Sequence, residues 1–162
     1  MKSTLIALVE DKPGVLTRVA SLFRRRAFNI ESLTVGHTEK PGVSRMTIVV
    51  DSTTTDAEKV AQNLLKLVNV IKVENITDAP AVTRDLALIK VHTENSTTRG
   101  EIMQLVDTFR ARVVDVGRNS LMIEVTGTDD KIDSLAEVIR PYGIKEMVRT
   151  GRVAMVRGNG LS

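Results

Sequence analysis

The chain contains no cysteine. Disulfides, thiolate catalysis and cysteine-based metal sites are thereby excluded, and a reducing cytoplasmic location fits. Aromatic residues make up only 2%, with no Trp, one Tyr (Tyr142) and three Phe. The core must be assembled from Val, Ile, Leu, Ala and Met. No apolar run approaches the ~18 residues of a membrane span. The first residues run straight into a strand pattern and lack the charged, apolar and cleavage regions of a secretory signal. Charge of one sign is also scarce: the net charge is +3 over 162 residues, too mild by itself to imply nucleic acid. What remains is 42% hydrophobic and 27% charged, the balance of a soluble globular chain. Its length suits one medium domain or two small ones.

Catalytic chemistry is missing as well. His37 and His92 stand at strand ends in separate halves, without a second His at helical spacing, so they are poor metal ligands. Asp129-Asp130 follows Thr128 as acid in a first helical turn. No nucleophile elbow, Walker loop or GxGxxG is present. Gly158-Asn159-Gly160 reads as a flexible end and not as a phosphate cradle. The expectation is no catalytic residue and no metal site in this chain.

What is present is one pattern written twice. Strands are expected over 3–9, 29–37, 44–50 and 70–76, with helices over 13–26 and after Thr53-Thr54-Thr55-Asp56. The turn 38–42 and the linker 77–80 punctuate the run. The second half repeats it, with strands over 86–92, 113–116, 121–126 and 144–148. One helix face there carries Ile102, Leu105, Val106 and Phe109. The other, capped at Thr128, carries Ile132, Leu135, Ala136 and Ile139. In the first half the stripes are Leu16, Val19, Ala20, Phe23 and Ala57, Val60, Ala61, Leu64. Such narrow stripes fit helices lying on one face of an antiparallel sheet. The order β-α-β-β-α-β, used twice, is that of two ferredoxin-like domains in tandem, an α+β fold. Right-handed crossovers put both helices of a half on one face and leave the other face bare. A bare apolar face calls for a partner, so at least a homodimer is expected.

The corner Glu10-Asp11-Lys12-Pro13-Gly14-Val15-Leu16 joins the first strand to the first helix. Pro13 fits a first helical position, and Gly14 admits close approach to the backbone. The amides of Gly14, Val15 and Leu16 then point out of a helix N-terminus, which attracts a carboxylate or phosphate. Asp11 can hold a cation. Together they suit the zwitterionic head of an amino acid. Asp as a cap and Pro-Gly as a simple turn account for the same letters without a ligand. Arg24-Arg25-Arg26 complements a helix C-terminus. Arg149, Arg152 and Arg157 mark either a docking tail or a solvated end. Thr93 to Arg99 is a polar cap, and Asn29 is a turn residue whose amide can also both donate and accept.

Three stretches carry a family resemblance: Glu10 to Leu16, Arg25-Arg26-Ala27-Phe28-Asn29-Ile30-Glu31-Ser32-Leu33-Thr34-Val35, and Ser44-Arg45-Met46-Thr47-Ile48. Arg84 to Lys90 in the second half also fits. The chain closely resembles the small, regulatory subunits of acetolactate synthase (acetohydroxyacid synthase), an ACT-domain family. The resemblance implies an ACT domain over 1–78, for amino-acid binding and dimerisation. A C-terminal ferredoxin-like domain over 79–162 would help activate a large subunit. It implies edge-to-edge homodimers with valine, or another branched-chain amino acid, at the interface. Asp11, Lys12, Pro13, Gly14, Val15 and Leu16 would form one side. Carboxylate would meet the amides of Gly14, Val15 and Leu16, and ammonium would meet Asp11. Asn29 and Ile30 of the other protomer would close the site. The family pattern carries Asn where this chain has Asp11. The implied partner is a catalytic large subunit holding thiamine diphosphate, Mg²⁺ and FAD. That subunit condenses two pyruvates to 2-acetolactate and CO₂, at the start of valine, leucine and isoleucine synthesis. The small subunit raises this activity, confers feedback inhibition, and is not an enzyme alone. Neither nucleic acid nor membrane is an implied partner. The alternatives are an RNA-binding module of the same strand order, a stand-alone amino-acid-sensing module, or an acylphosphatase-type enzyme. The first lacks sheet-face aromatics, and the last lacks an Arg in the loop, since Arg18 falls inside the helix.

Overall fold

The structure is a computed structural model and describes residues 1–158. Asn159 and Gly160 of the expected flexible end lie outside the described residues. The first six elements are β1 (Lys2–Glu10), α1 (Val15–Arg25), β2 (Ile30–His37), β3 (Val43–Asp51), α2 (Ala57–Leu65) and β4 (Val70–Asn75). Eight follow: β5 (Ala81–His92), α3 (Ser96–Thr108), β6 (Arg112–Val116), β7 (Ser120–Gly127), α4 (Asp129–Ile139), a 3₁₀ turn (Arg140–Tyr142), β8 (Ile144–Arg149) and β9 (Val153–Val156). The chain forms two compact units. Among the described residues one is Met1–Val82 with 152–158, and the other is Thr83–Gly151.

In the first unit the sheet order is β2-β3-β1-β4, all neighbours antiparallel. Alternation along the strands sends Leu5, Ala7 and Val9 of β1 and Met46, Ile48 and Val50 of β3 to the helix side. There they meet Val15, Val19, Leu22 and Phe23 of α1 and Ala57, Val60 and Leu64 of α2. Each such Leu, Ile or Phe contributes about 1.5–3 kcal/mol of burial. The α2 stripe is the expected one. The α1 stripe keeps the expected Val19 and Phe23 but is turned by part of a residue, so that Ala20, expected inward, is exposed. Val15 and Leu22 face inward, while Leu16 is 49% exposed.

The opposite sheet face was expected to be bare, and in this unit it is not. Ile6 of β1 is buried with Ile76 and with Ala154 of β9. The Arg152 guanidinium donates to the Thr4 hydroxyl at 2.9 Å, and Arg45 donates to the Ala154 carbonyl at 2.7 Å. β9 pairs with β5, and the Arg157 amide donates to the Pro80 carbonyl at 2.8 Å. Residues 152–158 therefore cluster with the first unit and not with the rest of a 79–162 domain, because the sheet face that buries Ala154 is made by β1. The other boundary falls at Val82 rather than at residue 78. Arg152, read as part of a docking tail or a solvated end, is tied within the protomer to Thr4 of β1.

The second unit repeats the architecture with order β6-β7-β5-β8. Ala87, Ile89, Val91, Leu121, Ile123 and Val125 face Ile102 and Val106 of α3 and Ile132, Leu135 and Ile139 of α4. Arg149 bridges Asp133 at 2.5 Å and Asp85 at 3.4 Å. On the far face Leu86 and Val148 stay exposed.

Candidate ligand-binding corner

The end of β1 is fastened on both sides. The Glu10 amide donates to the Asn69 carbonyl at 2.9 Å and the Asp11 amide to the Gly42 carbonyl at 2.8 Å. The chain then reverses through Lys12-Pro13-Gly14-Val15, closed by the Val15 amide on the Lys12 carbonyl at 3.3 Å. Gly14 has φ 87° and ψ −9°. These angles at the third position, with Pro before it, define a type II turn, which is why Gly is needed there. Pro13 is thus a turn residue and not the first residue of the helix. Gly14 is the N-cap, and it has no side chain with which to cap.

The consequence is an open helix end. The first helical bond runs from the Arg18 amide to the Gly14 carbonyl at 3.0 Å. Among the described residues the amides of Gly14, Leu16 and Thr17 have no protein acceptor. The Val15 amide, expected to be available, is spent in the turn. A Cβ built on Gly14 meets nothing within 4 Å, so the space beside the cap is open. The exposed Leu16 side chain supplies an apolar wall one residue away. Its exposure follows from the turned phase of α1.

The two carboxylates at the strand end have different partners. Glu10 takes the Lys12 ammonium at 2.7 Å and the Asn69 side-chain amide at 3.4 Å. The Lys12 hydrogen bond, followed by its charge, holds the Glu10 carboxyl below the usual value. Arg18 in turn donates to the Asn69 side-chain oxygen. Asp11 instead lies 3.1 Å from Nδ1 of His37, at the far end of β2. Thus Lys12 belongs to an internal network, and Asp11 is left at the mouth of the open amides. His37 and Asn69 were not assigned to the corner from sequence. Their approach depends on strand register, which leaves no local signature.

Asn29 and Ile30 are not brought to this corner within one protomer. Ile30 pairs with Val50, whereas His37 pairs with Ser44, so Ile30 sits at the opposite end of β2. At ~3.3 Å per residue that separation is about 23 Å. The Asn29 amide donates to the Thr55 hydroxyl at 2.9 Å, and its side chain donates to Thr54 at 3.3 Å.

The second unit contains the same corner in a capped form. The His92 amide donates to the Gly143 carbonyl at 2.8 Å and the Thr93 amide to the Asn119 carbonyl at 2.9 Å. Here, however, Asn95 is the N-cap, and its side chain accepts from the Thr98 amide at 2.9 Å. Arg99 donates to the Thr93 hydroxyl at 3.2 Å and to the Gly117 and Arg118 carbonyls at 2.9 Å each. The duplicated fold therefore presents one corner with no side-chain cap and one capped by Asn95.

The family model described as an AHAS small subunit-like ACT domain matches residues 5–72, and that described as the small subunit of acetolactate synthase matches 84–158. The probable acetolactate synthase small subunit of Archaeoglobus fulgidus is 57% identical over 98% of this chain and 99% of its own. The acetolactate synthase small subunit of Mycolicibacterium smegmatis is 53% identical over 96% and 91%. This chain belongs to the acetolactate synthase small-subunit family. The crystal structure of a Thermotoga maritima member agrees, with a TM-score of 0.89 at 42% identity over 98% of this chain and 99% of that one. The ACT match runs from within β1 to the first half of β4 and so contains the open corner.

Among the described residues no group of three or more His, Cys, Asp or Glu is placed to hold a metal ion. No helix among them is long and apolar enough to cross a membrane. Phe23, Phe28 and Phe109 all pack on the helix side of their sheets, away from a base-stacking face.

Proposed function

We propose that this chain is the non-catalytic regulatory subunit of acetolactate synthase and that its Gly14 corner binds valine, or another branched-chain amino acid, as a feedback inhibitor. One observation carries the reading: of two equivalent corners, the first has no side-chain cap and leaves the amides of Gly14, Leu16 and Thr17 without protein acceptors, and a carboxylate side chain stands beside them. An amino acid offers the complement. Its carboxylate fits the amides of Gly14, Leu16 and Thr17, where the helix dipole favours an anion. Its ammonium fits Asp11, and its isopropyl group fits the exposed Leu16. Asp11 in place of the family's Asn strengthens the ammonium contact and adds repulsion toward the ligand carboxylate.

The second side of the site comes from a second copy. β2 is an edge strand. Antiparallel pairing of β2 with its own copy over its full length sets residue 30 of one chain opposite residue 37 of the other. Asn29 and Ile30 of the second copy then lie beside His37 and Asp11. The homodimer rests on this edge, since the first unit's sheet face is already covered by β9. A ligand held by both copies stiffens the dimer. A coupling of about 1–3 kcal/mol to the large subunit suffices for feedback. Thiamine diphosphate, Mg²⁺ and FAD belong to that large subunit, and the complex works in the cytoplasm.

The test is reconstitution. The large subunit is assayed for 2-acetolactate with and without this chain, across a valine titration. The proposal requires higher activity with the chain, inhibition by valine only in its presence, and no product from this chain alone. Val35→Lys, which places a charge on the β2 edge, should abolish dimer formation in sedimentation and valine inhibition together. A valine response undiminished in a monomeric variant would remove the second copy from the site.

A further inference from the structure

Asp11 is the ammonium acceptor of the proposed site, yet nothing on its own strand orients its carboxylate. The side chain is 45% exposed, and its recorded partner is the imidazole of His37, 3.1 Å away through Nδ1. Both residues are set by the start of β3. His37 pairs with Ser44, and the Asp11 amide is held by the Gly42 carbonyl. The neighbouring cation, Lys12, is taken by Glu10 at 2.7 Å, and Arg18 is turned to Asn69. The imidazole thus reaches Asp11 from a strand that is distant in sequence.

We infer that His37 is a positioning residue for effector recognition, holding Asp11 so that the corner selects an α-amino acid over the 2-oxo acid of the same carbon skeleton. This inference rests on the reading of the corner given above. An Nδ1–H that donates to Oδ2 leaves Oδ1 to accept from the ligand ammonium. A 2-oxo acid carries a carbonyl there, an acceptor facing an acceptor, and gains nothing from an oriented Asp11. Ordering one such side chain on binding costs a factor of about three to ten in affinity. Removing His37 moves that cost into valine binding and leaves the oxo acid unaffected. The discrimination between the two therefore falls by the same factor.

The experiment is calorimetric titration of the full chain with L-valine and with 3-methyl-2-oxobutanoate, for the native protein, His37→Ala and His37→Asn. His37 is 83% exposed in the single protomer, and unliganded melting curves with sedimentation verify that its replacement keeps both the fold and the dimer. His37→Ala is expected to weaken valine about three- to tenfold with no change for the oxo acid. His37→Asn places an amide N–H at the same distance from the backbone as Nδ1 and should restore the native ratio. An unchanged ratio in His37→Ala, or equal losses for both ligands, overturns the role of His37 and leaves the corner standing. Failure of the native protein to bind valine at all overturns the corner and this inference with it.

Discussion

Replacing Gly14 separates the conformational role of this glycine from its role in the site. At φ 87° an alanine is strained by about 1–2 kcal/mol. The Cβ itself has room, with nothing within 4 Å, so no clash adds to that figure. For a chain of this length each kcal/mol moves the melting temperature by about 2–4 °C. Gly14→Ala should therefore melt about 2–8 °C below the native protein without ligand. Gly14→Asp should lose less, because Asp enters the left-handed region more readily. Ligand reverses the order of interest. Valine at about a hundred times its Kd stabilises the native fold by ~2.7 kcal/mol, or about 5–10 °C. The new carboxylate of Gly14→Asp faces the ligand carboxylate at a few ångströms, a repulsion of about 1–4 kcal/mol near a surface. Its thermal shift should shrink sharply or vanish. Melting curves with and without valine read both effects. A Gly14→Asp protein that keeps the native shift would refute the corner as the carboxylate site.

Three further outcomes follow from the geometry. Asn95→Ala removes the cap on Thr98 and should cost about 1 kcal/mol in thermal stability, with valine inhibition unchanged, because the proposed site lies at the Gly14 corner of the other unit. Ala154→Asp buries a carboxylate against Ile6 and Ile76 and should lower the stability of the first unit by at least ~2 kcal/mol in urea melts. On acidification, Glu10 and Asp51 should both lose stabilisation. Their carboxyls are held below the usual values, Glu10 by Lys12 and Asp51 by the Thr53 hydroxyl and amide. A lowered carboxyl stabilises the fold above its ordinary pKa and releases that contribution as pH falls through the folded value. The slope of stability against pH below the ordinary carboxyl range should flatten in a Lys12→Met, Thr53→Val double variant. An identical slope would show that these pairs contribute nothing to folding.

Local patterns carried much of the protein. The repeated β-α-β-β-α-β order, the stripe of α2 and the acid cap at Asp56 are written within single elements, where periodicity and capping act over a few residues. The corner itself was legible because Pro-Gly after an apolar run has few conformations open to it. Tertiary structure decided the rest. It turned the phase of α1, burying Val15 and Leu22 and freeing Leu16, because the Pro13-Gly14 turn delays the helix start to Val15. It returned Ala154 to the face of β1, and it set His37 against Asp11 through the register of β2 on β3. Each of these contacts joins residues far apart in the chain or depends on how an element seats on its sheet. Side-chain period constrains which face a residue occupies, and only packing determines what that face meets.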